Sequence, residues 1–421
     1  MNTAYERLGL GHGDILLPCD VDLKKWAVIA CDQFTSDRGY WREVADDVGS
    51  APSTYHITLP EIDLKQADTR LPHIHAAMEQ YLRDVLRPVA GWVYVRRQTQ
   101  RMLRRGLVLP IDLECYDYMP GAHSLIRATE GTILDRLPPR LHIRRDALVE
   151  SPHILLLLDD PTHTVIEPLD AMRDNMTALY DFSLMMDGGE LSGWQVDAAA
   201  QAQVTAALEA LLDPATQHAK YGDITAPLLY AAGDGNHSLA TARAFWLELR
   251  DPLSPAERTT HPARYALVEL INLHDAQLHF EPIHRVLFHA DAGDVADAFT
   301  AWLDAHPGNN APQTFAFDSA AGRRVVEAAR PPHTLQVGTL QLFLDDYLQA
   351  HPECTLDYIH GDIETLEIGR APGNVAMLLT GIPKADLFKS VLLDGVLPRK
   401  TFSLGEARDK RYYMECRAIT R

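Results

Sequence analysis

Residues 227–246 read PLLYAAGDGNHSLATARAFW. The apolar run 228–232 predicts a short buried strand. Glycines at positions 233 and 235 then permit a tight turn, because glycine adopts backbone angles that other residues avoid. The apolar side chains of 239–249 fall on one stripe at helical spacing, which predicts an amphipathic helix. The stretch therefore predicts a strand, a glycine-rich turn and a helix in direct succession.

The predicted turn has the chemistry of an anion site, because N–H groups at a helix start and the helix dipole both attract phosphate. Asp234 and His237 add groups that hold a metal or move protons, so both are candidate catalytic residues. The alternative interpretation is a structural turn with a capping serine and a core-facing histidine. Asn236 or Ser238 is expected to cap the helix. The candidate phosphate-binding residues of the turn are Gly233, Gly235, Asn236 and Ser238.

Segment 233–242, GDGNHSLATA, resembles the signature of a bacterial family known only as a domain of unknown function. Most members carry a DGHHR-type sequence here, and the resemblance covers nearly the whole chain. The signature is similar to the phosphate-contacting segment of the free-serine kinases, which belong with sulfiredoxin and the ParB partition proteins to one nucleotide-binding superfamily. That second similarity covers only the motif and its setting. Ser238 occupies the position of an arginine in the kinase-type motif, so another cation supplies that charge here or the activity differs.

The resemblance identifies a second element upstream. Arg127, Glu130 and Thr132 match an Arg-x-x-Glu-x-Thr element of the family. This resemblance implies that Glu130 is the catalytic base and that a cation holds it in place. Arg127 and Thr132 become candidate phosphate-binding residues. A structural salt bridge between Arg127 and Glu130 is the alternative.

Two basic elements downstream also match the family. His284 and Arg285 match a Pro-x-His-Arg element, and Arg399 and Lys400 match a C-terminal element in which Pro is closely followed by Lys and Ser or Thr. Such cations suit phosphate contact, so all four are candidate phosphate-binding residues. Adjacent side chains on a strand point to opposite faces, so at most one of His284 and Arg285 is expected to reach a given pocket. The alternatives are an edge-strand histidine with a solvated arginine, and a basic turn in water.

Polar residues also follow a strand predicted over 26–31, among them Asp32, Thr35 and Ser36. The resembled family carries an Asp-containing segment at this place, which makes these three candidates for the site. The alternative is that Ser36 or Asp37 caps the helix that follows.

The composition limits the classes of function. Of the 421 residues 46% are apolar, which suits a globular core, and the net charge of −19 argues against broad nucleic-acid or acidic-membrane binding. The five cysteines are scattered without a CxxC pair, which fits a reducing cytosol better than a disulfide framework or zinc ribbon. No signal peptide or membrane-spanning run is expected. We therefore expect a cytoplasmic protein that acts on a small molecule, binds neither nucleic acid nor membrane, and has an undetermined oligomeric state.

Strands and helices alternate without a regular βαβ order, which predicts an α+β fold with mixed sheets. The resemblance implies a ParB/sulfiredoxin-like nucleotide-binding element around the motif. We expect an N-terminal α+β domain over 1–220 and a C-terminal α+β domain over 221–421 that carries the motif, with one integrated unit as the alternative. Near the end of the chain, the patterns predict an amphipathic helix over 384–393 and a strand over 410–419.

These features predict a nucleotide- or phosphate-dependent enzyme that acts on a small metabolite. The resemblance to the kinases implies phosphoryl transfer to the hydroxyl of a serine-like or hydroxy-acid substrate, with ATP, ADP or another phosphate donor and Mg²⁺. Two alternatives stay open: a nucleotide-binding regulatory protein without turnover, and a small-molecule phosphatase. The metal ligands are unknown from the sequence.

Overall fold

The computed structural model describes residues 3–420, which form two units. The first unit runs to Leu278 and is completed by the segment that returns from Gly405, and the second unit is His279–Leu404. The boundary expected at residue 220 thus lies inside the first unit. The physical reason is that the strand before the motif pairs on both sides with strands from the preceding 220 residues.

The helices and strands within residues 3–278 and 405–420 belong to the first unit, and those within 279–404 belong to the second. The helices are α1 (Thr3–Arg7), α2 (Leu23–Trp26), α3 (Arg38–Val48), α4 (Ala67–Asp84), α5 (Leu137–Arg145), α6 (Glu167–Met172), α7 (Ala198–Leu212), α8 (Pro214–Tyr221), α9 (Asn236–Arg250), α10 (Pro255–Thr260), α11 (Ala292–Ala305), α12 (Gln336–Ala350), α13 (Asp362–Gly369) and α14 (Lys384–Leu393). The strands are β1 (Ile15–Pro18), β2 (Val28–Ile29), β3 (Leu86–Val89), β4 (Trp92–Gln98), β5 (Leu103–Asp112), β6 (Tyr116–Asp117), β7 (Ile126–Ala128), β8 (Val149–Glu150), β9 (Leu155–Leu158), β10 (Ala178–Ser183), β11 (Glu190–Val196), β12 (Tyr230–Asp234), β13 (Tyr265–Asn272), β14 (Phe280–Phe288), β15 (Gln313–Ser319), β16 (Gly322–Ala328), β17 (Thr355–His360), β18 (Asn374–Leu378), β19 (Phe402–Leu404), β20 (Tyr412–Tyr413) and β21 (Arg417–Ala418).

A nine-stranded sheet forms the centre of the first unit, in the order β10-β11-β4-β5-β13-β9-β12-β7-β6. The motif strand β12 lies between β9, which is antiparallel to it, and β7, which is parallel to it. The expected mixed sheet is therefore confirmed. Because β12 pairs with a strand on each side, the residues that follow its last residue are held in a fixed position at this end of the sheet.

Side chains alternate between two hydrophobic clusters on the two faces of this sheet. In β5, Leu107 and Leu109 belong to one cluster and Val108 to the other, as the period of two of a strand requires. Buried residues of α7 and α9 complete the first cluster, and those of α3 and α4 complete the second. A sheet buried on both faces gives the motif a rigid support.

The returning segment 405–420 packs on the second of these faces. Tyr412, Met414 and Cys416 alternate into that cluster, as the sequence pattern predicts. The backbone, however, forms only the two-residue strands β20, paired with β2, and β21, paired with β8. The expected single strand over 410–419 is therefore wrong in extent, because its two ends pair with different partners.

The second unit contains an antiparallel sheet in the order β16-β15-β18-β14-β17, and β19 pairs with β14 as well. Phe299 of α11 contacts Phe315, Phe317 and Phe343, with ring centroids 4.8–5.6 Å apart. The predicted amphipathic helix is confirmed as α14. Across residues 3–420, none of the helices combines the length and hydropathy needed to cross a bilayer.

Candidate functional site

The motif forms a strand, a turn and a helix as predicted, but the strand is shifted to Tyr230–Asp234 and the helix begins earlier than expected, at Asn236. β12 ends at Asp234, Gly235 follows with φ 72° and ψ 23° in the left-handed region, and α9 begins at Asn236. A Cβ on Gly235 would lie 3.0 Å from the Cα of Ile154. Glycine is therefore required here both for the backbone conformation and for the close approach of the neighbouring chain.

The expected side-chain cap is wrong, because Gly235 is the N-cap of α9 and Asn236 and Ser238 lie in its first turn. The amide of Gly235 donates to Oδ1 of Asp234 at 2.9 Å. The amide of Leu239 is the first to donate along the helix, to the carbonyl of Gly235 at 3.0 Å. Helix geometry gives the amides of 236–238 no acceptor within the helix, so they are available to an anion.

Asp234 forms an ion pair with Lys410 of the returning segment. The distance from its Oδ2 to Nζ is 3.1 Å, and the two side chains are 21% and 12% exposed. This pair brings a cation to the carboxyl end of β12, next to the turn. The sequence contains no local signal for it, because the two residues are far apart in the chain.

A second polar pair lies against the same turn. Nε2 of His153 is 3.1 Å from Oδ2 of Asp32, and its Nδ1 is 3.0 Å from the hydroxyl of Tyr413. Desolvation disfavours the charged form of both groups. The charge and hydrogen bond of His153 nevertheless lower the pKa of Asp32, and those of Asp32 raise the pKa of His153. The pair therefore favours the ionised carboxylate of Asp32 and the protonated form of His153. Of these residues, only Asp32 is a candidate on sequence grounds.

His237 lies in the first turn of α9, and its Nε2 accepts from the amide of Ile133 at 3.4 Å. Burial, followed by the positive charges of Arg140 and Arg136, lowers the pKa of His237 to about 4. The imidazole is therefore neutral near pH 7. With Nε2 as acceptor, the proton resides on Nδ1.

The loop that contains Glu130 and Thr132 contacts the same end of the sheet. Thr129 attaches it to β12, because its hydroxyl donates to the carbonyl of Ala232 at 2.6 Å. Glu130 and Thr132 are both half-buried. Oγ1 of Thr132 and Oδ1 of Asn236 are buried polar atoms for which residues 3–420 supply no hydrogen-bond partner. Since buried polar atoms are normally satisfied, these two favour a ligand or water at the turn.

Arg127 lies at the opposite end of the motif strand. Its guanidinium donates to the carbonyls of Ser124, Ala226 and Pro227 at 2.9–3.2 Å, and burial lowers its pKa. These carbonyls flank the beginning of β12, whereas the turn follows its end. The structure therefore does not bring Arg127 to the turn.

Two predicted residues of the second unit, His284 and Arg285, are both buried on β14. Nε2 of His284 is 2.8 Å from Oδ1 of Asp362, and its Nδ1 accepts from the amide of Leu379 at 3.1 Å. Burial lowers the pKa of His284, against the effect of Asp362. The alternative of an edge-strand histidine with a solvated arginine is wrong, because β14 has neighbours on both edges and Arg285 is fully buried.

Arg285 is brought together with the basic turn that contains Arg399 and Lys400. Its guanidinium donates to the carbonyls of Lys400 and Arg399 at 2.8 and 3.2 Å. Arg285 and Arg399 both lie over the ring of Tyr358, at 4.9 and 5.5 Å from its centroid. Arg285 therefore contacts the backbone of this turn, and Arg399 and Lys400 are exposed.

The His, Cys, Asp and Glu side chains of residues 3–420 do not form a metal site made of protein ligands alone. Among residues 3–420, no group of three or more His, Cys, Asp or Glu side chains is arranged to hold a metal ion.

Comparison with solved structures finds free serine kinases at low similarity. A free serine kinase in complex with AMP has a TM-score of 0.37 and 10% identity, over 76% of this chain and 93% of that chain. A mutant of a free serine kinase in complex with ADP gives 0.38 and 9%, over 76% and 94%. A conserved hypothetical protein from Pyrococcus furiosus gives 0.34 and 12%, over 74% and 95%. Likeness at this level supports no conclusion about fold or function.

The curated proteins contain no significant match to the chain. One family profile does match, over residues 18–347, and its description is protein of unknown function (DUF1015). The matched region includes the turn of 233–238, Asp32 and His153, and ends before Arg399, Lys400 and Lys410. Because the match covers well over half of the sequence, the chain belongs to the DUF1015 family.

Proposed function

We propose that the turn of 233–238 binds a phosphate group and that the protein is a phosphotransferase for a small hydroxyl-bearing metabolite. The observation that carries the proposal is the juxtaposition of first-turn amides of α9 with the ammonium of Lys410 at the end of β12. Backbone N–H groups, a helix dipole and a cation at one place form a phosphate site. We further propose that β12 and α9 form the ParB/sulfiredoxin-like nucleotide-binding element that the motif implies.

Phosphoryl transfer requires positioned phosphates, neutralised charge and a group that orients the nucleophile. In our proposal the amides of 236–238 and the hydroxyls of Ser238 and Thr132 bind the phosphate. Mg²⁺ enters with ATP, ADP or another phosphate donor, and Asp234 is its proposed carboxylate contact. The Nε2 of the neutral His237 accepts from the amide of Ile133, so in our proposal its Nδ1–H donates a hydrogen bond to the transferred group.

Two carboxylates are candidates for the base that orients the substrate hydroxyl. Glu130 is the candidate from the motif, and it lies in the loop that Thr129 attaches to β12. Asp32 is the candidate from the geometry, since His153 holds it ionised. An ionised, partly buried carboxylate next to a phosphate site is suited to accept a hydrogen bond from a hydroxyl.

The test is to incubate the pure protein with serine or a short hydroxy acid, Mg²⁺, and ATP, ADP or pyrophosphate, and to follow the products by ³¹P NMR. A new phosphate ester supports the kinase. Tight nucleotide binding without any product supports a regulatory protein instead. Release of inorganic phosphate from phosphoserine supports a phosphatase.

Matched variants then identify the base. Glu130→Gln and Asp32→Asn each remove one negative charge with little change of shape. The variant of the true base is expected to lose turnover at least about 100-fold while nucleotide binding persists. If both variants retain wild-type turnover, the assignment of a carboxylate base here is wrong.

Arg399 and Lys400 of the second unit stay predicted phosphate-binding residues, and His284 and Arg285 are proposed to support their turn. A double substitution to Met at 399 and 400 tests this, because it removes two exposed cations from a turn that Arg285 holds through backbone carbonyls. A loss of nucleotide affinity without a loss of stability is the expected result. Unchanged affinity would contradict a role of these two residues in phosphate binding.

A further inference from the structure

We propose that Lys410 is the phosphate-binding cation of the turn, and that the buried residues Arg97 and Arg104 position it by holding the backbone of the returning segment. This inference rests on the proposed phosphate site at 233–238. It gives Lys410 a direct contact with the bound phosphate and gives the buried residues Arg97 and Arg104 a positioning role.

The position of Lys410 is the first argument. Its Nζ lies 3.1 Å from Oδ2 of Asp234, the last residue of β12 before the turn. The side chain is 12% exposed, so its charge is only partly screened by water. Its charge also lowers the pKa of Asp32. Lys410 thus pairs with Asp234 at the turn and also stabilises the ionised form of Asp32.

The hydrogen-bonding capacity of Lys410 is the second argument. An ammonium group carries three N–H donors. Asp234 is the only ion-pair partner of Lys410 that we find among residues 3–420, and it uses one donor. The remaining donors can bind a phosphate oxygen that the amides of 236–238 also contact. Charge-assisted bonds of this type are stronger than neutral ones.

The backbone before Lys410 is held by Arg97 of β4, which is 2% exposed. Its guanidinium donates to the carbonyls of Arg408 at 2.6 Å and Asp409 at 3.0 Å, and also to that of Lys410. The same side chain lies over the ring of Tyr412 at 4.8 Å. Burial, followed by the repulsion of Arg104, lowers the pKa of Arg97 to about 10. A buried guanidinium is costly, so its bonds to three consecutive carbonyls fix this segment firmly.

Arg104 of the neighbouring strand β5 adds a fourth bond, to the carbonyl of Asp409 at 3.0 Å. Its Nε also donates to Glu269 at 2.9 Å, and Glu269 accepts from Arg411 at 2.8 Å. Arg411 in turn donates to the carbonyl of Pro152 at 3.1 Å, directly before His153. The buried arginines therefore hold the backbone next to Lys410 and the backbone next to His153, and these two residues lie beside the turn.

The experiment measures pyrophosphate affinity of the full-length protein by isothermal titration calorimetry. The variants are Lys410→Met, Lys410→Arg, Arg97→Lys and the double variant Arg97→Lys/Lys410→Met. Lys220→Met is the matched control, because Lys220 forms an ion pair with Asp159 at 2.8 Å, is 20% exposed, and lies at the opposite end of the sheet. Urea unfolding of each variant verifies that it is folded.

Lys410→Met is expected to weaken pyrophosphate binding about 10- to 100-fold, the range for one lost charge-assisted hydrogen bond. Lys410→Arg should recover most of that loss, and Lys220→Met should bind as the wild type does. Arg97→Lys should weaken binding as well, but the double variant should be no weaker than Lys410→Met alone. This non-additivity is the mark of a residue that acts through Lys410.

Three results would overturn the inference, and they are distinguishable. If wild-type protein does not bind pyrophosphate, the proposed phosphate site fails and the inference fails with it. If wild type binds and Lys410→Met binds equally well, the phosphate site stands and Lys410 is only a structural ion-pair partner. If the losses in the double variant add, Arg97 does not act through Lys410.

Discussion

Replacing Gly235 by Ala tests the conformation on which the candidate site depends. A non-glycine residue in the left-handed region costs about 1–2 kcal/mol. The added Cβ would also lie 3.0 Å from the Cα and 3.2 Å from Cγ1 of Ile154. Because the nearer atom belongs to the backbone, it cannot rotate away, and overpacking of this kind costs about 1–3 kcal/mol more. We therefore expect Gly235→Ala to lower the free energy of unfolding by about 2–5 kcal/mol.

Urea unfolding followed by tryptophan fluorescence measures this loss. Five of the six tryptophans, all except Trp302, lie in the first unit, so the signal mainly reports its unfolding. Gly121→Ala is the matched control, because Gly121 has φ 77° and no heavy atom within 4 Å of an added Cβ. It should cost only the backbone term, about 1–2 kcal/mol.

The same variants separate structure from function. Gly235→Ala should also lose the stabilisation that pyrophosphate confers on the wild type, because the shifted turn no longer directs its amides at one point. Gly121→Ala should retain that stabilisation. If Gly235→Ala were no less stable than Gly121→Ala and still responded to pyrophosphate, the requirement for glycine at this turn would be refuted.

Three further predictions concern ionisable groups. Glu269→Gln leaves two buried arginines without their shared carboxylate, so we expect the free energy of unfolding in urea to fall by about 3–5 kcal/mol. Glu209→Gln removes a partner of an exposed ion pair and should lower it by less than about 1 kcal/mol. Equal losses in the two variants would contradict this prediction. In NMR titrations the imidazole of His237 should stay neutral down to about pH 4, and a midpoint near its ordinary value of 6.5 would show that it is not desolvated. The third prediction concerns the pair of Asp32 and His153. The raised pKa of His153 stabilises the fold fully below pH 6.5, the ordinary pKa of histidine, and this stabilisation is lost as the pH rises through the folded-state pKa of His153. The lowered pKa of Asp32 stabilises the fold above pH 3.8, the ordinary pKa of aspartate, and this stabilisation is lost as the pH falls through the folded-state pKa of Asp32. Asp32→Asn should therefore flatten the dependence of melting temperature on pH on both sides, and an unchanged profile would exclude the pair as its source.

The local elements near the motif were predictable because their causes are local. The apolar run 228–232 and the helical spacing of the apolar residues in 239–249 are local patterns, and they predict the existence of β12 and α9 but not their exact ends. The same holds for α14 and for the alternating burial of Tyr412, Met414 and Cys416. The cap of α9 was not predictable in this way, because Gly235, Asn236 and Ser238 all suit that place and only the backbone selects among them.

Local residue patterns were enough to predict a strand, a glycine turn and a helix start, and to mark Asp234 and His237 as candidates there. The charges around these two residues follow from long-range packing. It brings Lys410 to Asp234 and His153 to Asp32, and it directs Arg127 to the other end of β12. A turn or a helix depends on residues that are close in the sequence. An ion pair depends on how segments that are distant in the sequence pack at the same end of the sheet.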